Sequence, residues 1–269
     1  MVDPTLSEIS FYDPDLYEMK IGPGTRVSAV YVPLAKEEGG PVLELGSGTG
    51  DVLFSIARAG VKCTGVDSSP AMLARSREKL SAEIDDVRAR VNLVQGDMAS
   101  FQIPERFRQV FFTNDAIGHL LTNEALIAAL THSAIHLLPG GRVVLDVSAF
   151  DVAYLARATD PWLNSFRYRG QTRISNEDRM NVWERTEYCG VSCRLMAHFR
   201  YERVGQDGSI KRLYDRILAL RPRHPEEIAL ALQLAGFSSV DYRPTSRGDG
   251  DSAWLITARV NDKSRPVAI

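Results

Sequence analysis

Four stretches of this 269-residue chain set chemically capable residues where a strand gives way to a loop. The first, PVLELGSGTGDV at 41–52, runs from an apolar segment through Glu44 into Gly46, Gly48 and Gly50, with only Ser47 and Thr49 between. It reads as a buried strand turning sharply into a helix. Glycine takes dihedrals closed to other residues and has no side chain to hold a ligand off the backbone. The helix that follows would offer unpaired N–H groups and a positive dipole end to whatever docks there. The second stretch delivers Asp67 after VKCTGV, the third Gly96, Asp97 and Met98 after VNLVQ, and the fourth Asn114 to His119 after QVFFT. A carboxylate that accepts from two vicinal hydroxyls makes a charge-assisted pair. Histidine can take up a proton near neutral pH. A ligand site is the natural reading.

The surrounding pattern supplies a scaffold for these residues. From residue 41 strands and helices alternate: strands at 41–45, 61–66, 91–95, 109–113 and 142–147, helices at 52–59, 70–83 and 123–138. Ser69 and Pro70 give a cap and a first helical position. This alternation predicts a parallel sheet with crossover helices, whose ligands bind at the carboxyl edge of the strands. The rhythm breaks at about Phe150. Residues 182–188, 194–203 and 210–220 are rich in aromatic and β-branched residues, with Asp207-Gly208 as a hairpin turn, and read as an antiparallel insertion. Arg169, Arg173 and Arg179, with Tyr168, read as a solvated loop between 166 and 180. A helix at 225–235 and strands at 237–243 and 253–260 complete the sheet, the last antiparallel because no helix precedes it. The expected fold is α/β: a Rossmann-like three-layer sandwich with a seven-stranded, mostly parallel sheet, an antiparallel last strand, and a β insertion after the fifth strand. The expected parts are a covering segment at 1–40, a ligand-binding domain at 41–150 and 223–260, and the insertion at 151–222.

Composition narrows the partners. The 32 basic residues nearly balance the 34 acidic ones, which disfavours nucleic acid and anionic membranes. No apolar run is long enough to span a bilayer, and the early acids and missing apolar core of the first residues lead us to expect no secretory signal. Cys63, Cys189 and Cys193 are too few for a disulfide framework, so a cytoplasmic setting is expected. Cys189, Cys193 and His198 lack a fourth zinc ligand, and Asp146, Asn114 and Asp115 match no metal spacing, so no metal is expected.

Which cofactor the glycine turn serves follows from its spacing. The dinucleotide fingerprint needs a small residue where this chain has Asp51, and no Gly-Lys-Ser/Thr follows for a P-loop. ELGSGTG, Asp67 about twenty residues on, GDM, and LLPGGRVVL before the fifth strand resemble the class I S-adenosylmethionine-dependent methyltransferases. That resemblance implies that Gly46, Gly48 and Gly50 face the methionine part of the cofactor. It further implies that Asp67 takes the ribose hydroxyls, Asp97 the adenine amino group, and that Met98 packs by the ring. Glu44 would order the turn or reach the methionine end through water, and Ser47, Ser68 and Asn114 would line the same site. NDAIGHLL at 114–121 and the Tyr12-Asp13 pair are similar to the small-molecule members, in particular the N,N-dimethyltransferases of amino sugars. The resemblance implies His119 as general base or substrate partner, Tyr12 closing over the cofactor, and the insertion covering the substrate.

The expectation is an S-adenosylmethionine-dependent enzyme that moves a methyl group to N or O of a small molecule, as a monomer or homodimer. Two other readings compete: a non-enzymatic protein that keeps the fold and binds a partner through the insertion, and a nucleotide-linked oxidoreductase, which Asp51 disfavours.

Overall fold

The computed structural model describes residues 13–21, 25–148, 151–160, 162–175, 177–246 and 252–260. They fall into two compact units, the second formed by the stretch before residue 23 together with 151–222.

The larger unit carries a seven-stranded sheet. In chain order it contains α2 (Thr25–Glu38), β1 (Val42–Leu45), α3 (Asp51–Arg58), β2 (Cys63–Asp67), α4 (Pro70–Ser81), α5 (Asp85–Arg88), β3 (Val91–Gln95), β4 (Phe107–Phe112), α6 (Asn123–His136), β5 (Leu137–Ser148), α8 (Pro225–Leu234), β10 (Phe237–Ser246) and β11 (Ser252–Val260). The sheet order is β10-β11-β5-β4-β1-β2-β3. β1 to β5 run parallel, and β11 lies antiparallel to both β5 and β10, as the missing helix predicts. Ser69 caps α4, its hydroxyl accepting from the Met72 N–H, with Pro70 in the first turn.

Alternating side chains fill two cores because successive strand residues face opposite ways. Leu43, Val110, Phe112 and Leu145 pack with Leu130 of α6 and Ile228 of α8 on one side. Val42, Phe111 and Val144 pack with Tyr31 of α2 and Phe54 of α3 on the other. Helices therefore cover both faces and make three layers. Pro244 is tolerated because β10 is an edge strand. At the amino-terminal edge of the strands Glu38 receives Arg259 at 2.8 and 3.0 Å and Arg108 at 2.8 Å.

The smaller unit contains α1 (Pro14–Ile21), α7 (Val152–Thr159) and a four-stranded antiparallel sheet of β6 (Arg167–Arg173), β7 (Asp178–Cys189), β8 (Arg194–Gly205) and β9 (Ile210–Leu220). Leu16 of α1 packs on Met180, Ala197, Phe199, Tyr201 and Leu218. Asp207 and Gly208 form the expected hairpin turn, with Gly208 at φ 80. The residues expected as a solvated loop at 166–180 are instead mostly strand. β6 is an edge strand exposed on both faces, so it lacks the apolar alternation that betrays a strand. Helix α7 also went unread, although Asp151 caps it by accepting from the Tyr154 N–H at 2.9 Å. The stretch read as one covering segment at 1–40 is divided, α1 lying in the smaller unit and α2 in the larger.

Candidate functional site

The carboxyl ends of the five parallel strands are joined to one another by hydrogen bonds, which is why the four sequence motifs converge. After β1 the N–H groups of Gly46 and Ser47 donate to the Val66 carbonyl of β2 at 2.8 and 3.0 Å. Gly46, Gly48 and Gly50 have φ of 75, 54 and 86, left-handed values that a side chain would disfavour. A Cβ on Gly46 would stand 3.1 Å from the Ala116 Cβ and 3.5 Å from the Met98 Cε. The glycine turn and the loops after β3 and β4 thus meet around one bare α-carbon. Gly50 provides no side-chain cap for α3, so the amino end of that helix keeps N–H groups for a ligand. The Ser47 hydroxyl is buried without a partner.

Asp67 closes β2. Its Oδ2 accepts from the Gly48 N–H at 2.7 Å and its Oδ1 from the Ser69 N–H at 2.8 Å. Burial pushes its carboxyl above the usual range, and the two backbone donors pull it back. Each oxygen keeps a further acceptor position, so the group can still take two hydroxyls. Ser68 is exposed beside it. After β3, Asp97 is exposed, with Oδ1 accepting from the Ala99 N–H at 2.7 Å, and Met98 is half-buried.

Glu44 is nearly the inverse of Asp67. It lies in β1 at 1 % exposure, and its Oε1 accepts from the Thr113 hydroxyl at 2.6 Å while Oε2 is buried without a partner. Burial pushes its carboxyl up to about 8, against the pull of Thr113, and the charges of Asp51 and Asp67 add to the rise. Asp51 itself pairs with Lys79 of α4.

Beyond β4, Asn114 and Asp115 take φ of 55 and 61 in succession. Left-handed residues other than glycine persist only where their surroundings hold them. Here Asp146 of β5 does so, its carboxylate accepting from the Asn114 N–H at 2.7 Å and the Asp115 N–H at 3.2 Å. Ser148 donates to the Asp115 carboxylate at 2.6 Å. The double turn launches a 3-10 helix, Ala116–His119, that buries Ala116, Ile117 and Gly118 and leaves His119 half-buried.

The structure therefore brings Glu44, Gly46, Ser47, Gly48, Gly50, Asp67, Ser68, Asp97, Met98, Asn114 and His119 to the strand ends and loops at one sheet edge. Tyr12 lies outside the described residues. Thr113, Tyr31 and Asp146 are the supports that sequence reasoning passed over or took for a strand-end acid. Among the described residues no three His, Cys, Asp or Glu side chains form a metal-holding group. No helix among them is long and apolar enough to cross a membrane.

Comparison with known proteins agrees with this geometry. Residues 42–141, the segment from β1 into β5, match the family model described as a methyltransferase domain. The dTDP-3-amino-3,4,6-trideoxy-alpha-D-glucopyranose N,N-dimethyltransferase of Streptomyces venezuelae is 28% identical over 214 residues, 78% of this chain and 81% of its own length. The solved structure of the CcbJ methyltransferase from Streptomyces caelestis is 25% identical with a TM-score of 0.71, covering 94% of this chain and 98% of that one. The fold is also that of CalS10, an amino pentose methyltransferase from Micromonospora echinaspora solved with S-adenosylmethionine bound, at 21% identity and a TM-score of 0.68 over 92% of this chain and 96% of that one. Bare glycine turn, spare acceptors on Asp67 and matching fold lead to one conclusion: the chain is a class I S-adenosylmethionine-dependent methyltransferase.

Proposed function

We propose that the acceptor is a small molecule methylated at nitrogen or oxygen, with a sugar amine as the leading candidate. The observation that carries this reading is the Asn114–His119 turn, where a held backbone sets a histidine beside the glycine turn's neighbour Ala116. The sugar-amine activity of the Streptomyces venezuelae relative supports the amine.

S-adenosylmethionine supplies a methyl group already activated on a positive sulfonium, so the chain's task is mainly to orient and to exclude water. Asp67 would grip the ribose hydroxyls, Asp97 the adenine amino group, and Met98 the ring. Gly46 and Gly48 would let the methionine part approach the backbone, with Ser47, Ser68 and Asn114 along its sides. These residues would hold the donor so that the acceptor's lone pair could take its methyl in line, the carbon–sulfur bond breaking as the new bond forms and leaving a neutral thioether. An amine acceptor must arrive unprotonated or lose a proton, and His119 is the group to receive it. Tyr12 is read as closing over the cofactor and the 151–222 insertion as covering the acceptor, and the working forms as monomer or homodimer. The unpaired Cys63, Cys189 and Cys193 support a reducing, cytoplasmic setting, and the near balance of charge argues against nucleic acid or membrane as the target.

The test is to incubate the protein with S-adenosylmethionine carrying a labelled methyl group and a panel of amino sugars, phenols and carboxylates, and to weigh the products. Transfer to an amine supports the reading, and His119→Ala should then slow turnover while leaving S-adenosylhomocysteine affinity near wild type. Transfer only to a macromolecule, or to nothing, would overturn it.

A further inference from the structure

Glu44 poses a problem of hydrogen-bond accounting that the donor site can solve. Thr113 gives its hydroxyl proton to Oε1, whereas Oε2 is fully buried and makes no well-formed hydrogen bond, the Leu53 N–H at the amino end of α3 giving the ionised form only a weak pull. If the carboxyl is ionised, Oε2 is a buried anionic oxygen without a well-formed hydrogen bond. If it is protonated, the proton there has nowhere to go. Either state costs free energy, and an ionised carboxylate without a cation costs more.

Among the described residues, the charges that act on Glu44 are acidic. β2 presents the Asp67 carboxylate and the Cys63 thiol, which burial keeps neutral, and α3 presents the Asp51 carboxylate and the Leu53 N–H. Lys79 of α4 is paired with Asp51. Just past the end of β4, the neutral Thr113 donates to Oε1. Two acids beside a buried third favour leaving it protonated, in keeping with a carboxyl pushed up to about 8. The glycine turn that begins two residues later is where a positively charged donor would lie.

We infer that Glu44 is a proton-coupled sensor of the donor's charge: it is protonated in the empty site, ionises when the cationic methyl donor docks, and takes its proton back once the sulfonium has become a neutral thioether. The inference rests on the S-adenosylmethionine assignment and concerns this chain's carboxyl alone. Donor capture would then expel a proton to solvent, and product would be held less firmly than donor.

Calorimetric titration in buffers of different ionisation enthalpy counts that proton. Near pH 7, about one proton should leave wild-type protein per S-adenosylmethionine bound, with fewer for S-adenosylhomocysteine, and the release should fade above about pH 9, where the carboxyl is already ionised. Below about pH 8, donor affinity should rise up to about tenfold per pH unit. Subtracting the count for Glu44→Gln cancels the ligand's own amine, so the difference belongs to Glu44. The same proton count in Glu44→Gln as in wild type, or equal counts for donor and product, would overturn the inference. Should Glu44→Gln fail to fold, wild-type protein labelled at the glutamate carboxyl carbons decides by NMR. A carboxyl that titrates near 8 when empty and falls by at least about one unit with S-adenosylmethionine supports it, and the absence of such a carboxyl overturns it. Wild-type protein that binds neither ligand overturns both the inference and the donor assignment, whereas binding without proton release overturns the inference alone.

Discussion

Tyr31 of α2 donates its hydroxyl to the Oδ1 of Asp146 at 2.6 Å, and the same carboxylate holds the Asn114 N–H at 2.7 Å. A helix on one face of the sheet thereby steadies the turn that carries His119. Asp146 is 2 % exposed, so it depends on such donors to remain a satisfied acceptor.

Removing that donor should therefore cost stability and loosen the turn. Tyr31→Phe keeps the ring against Phe111 and loses only the hydroxyl. We expect a loss of about 1–3 kcal/mol by urea denaturation, the usual penalty for stranding a buried polar partner. Asp146→Asn should cost at least as much, since its amide cannot accept at both positions. Variants of unchanged stability would mean that the double left-handed turn is held by other contacts.

Asp67 should dominate donor affinity. Its carboxylate already orders the glycine turn through Gly48 and would also accept two ribose hydroxyls. A hydrogen bond to a charged group contributes about 1.5–3 kcal/mol, so Asp67→Ala should weaken S-adenosylhomocysteine binding by at least roughly tenfold. Calorimetry on a variant shown to be folded measures this. Unchanged affinity would remove the ribose assignment.

The contrast between Asp67 and Asp146 shows what a sequence can convey. Asp67 was legible because one short span fixes it: a strand, an acidic end, and a Ser-Pro helix start all lie within a few residues of it. Asp146 was not, since its partners Tyr31, Asn114 and Asp115 come from distant parts of the chain and only the tertiary fold assembles them. The sheet followed from periodicity for the same local reason. β6 escaped because an edge strand wet on both faces has no alternation to read, and the Arg169 and Arg173 that suggested a loop are simply its exposed side chains. The orphaned Oε2 of Glu44 was likewise invisible, because burial of a single atom depends on everything packed around it.

Gly50 and Gly60 offer a controlled pair. Both sit at left-handed φ, 86 and 90, but a Cβ on Gly50 would lie 2.6 Å from the Phe54 ring and 2.8 Å from the Ser76 hydroxyl, while nothing lies within 4 Å at Gly60. Alanine at either position should lose about 1–2 kcal/mol to the dihedral. Gly50→Ala should lose about 1–3 kcal/mol more to overpacking, a difference readable from two denaturation curves. Equal losses would show that α3 shifts freely to make room.

Glu38 governs acid stability from the opposite edge of the sheet. Its hydrogen bonds with Arg259, reinforced by the charges of Arg142 and Arg108, hold its carboxyl down to about 2, against a desolvation that works the other way. Because the folded value lies below the unfolded one, the contribution is fully present above about pH 4.5 and is lost as pH falls from there through about 2. Glu38→Gln should thus be less stable than wild type near pH 7, by about 1–2 kcal/mol once the exposure of Arg259 and Arg108 is allowed for. The gap should narrow steadily below about pH 4.5. Urea titrations of the two proteins across that range test the sign as well as the size. A gap that stays constant would mean that Glu38 contributes by packing alone, whereas one that widens would contradict the assigned direction of its shift.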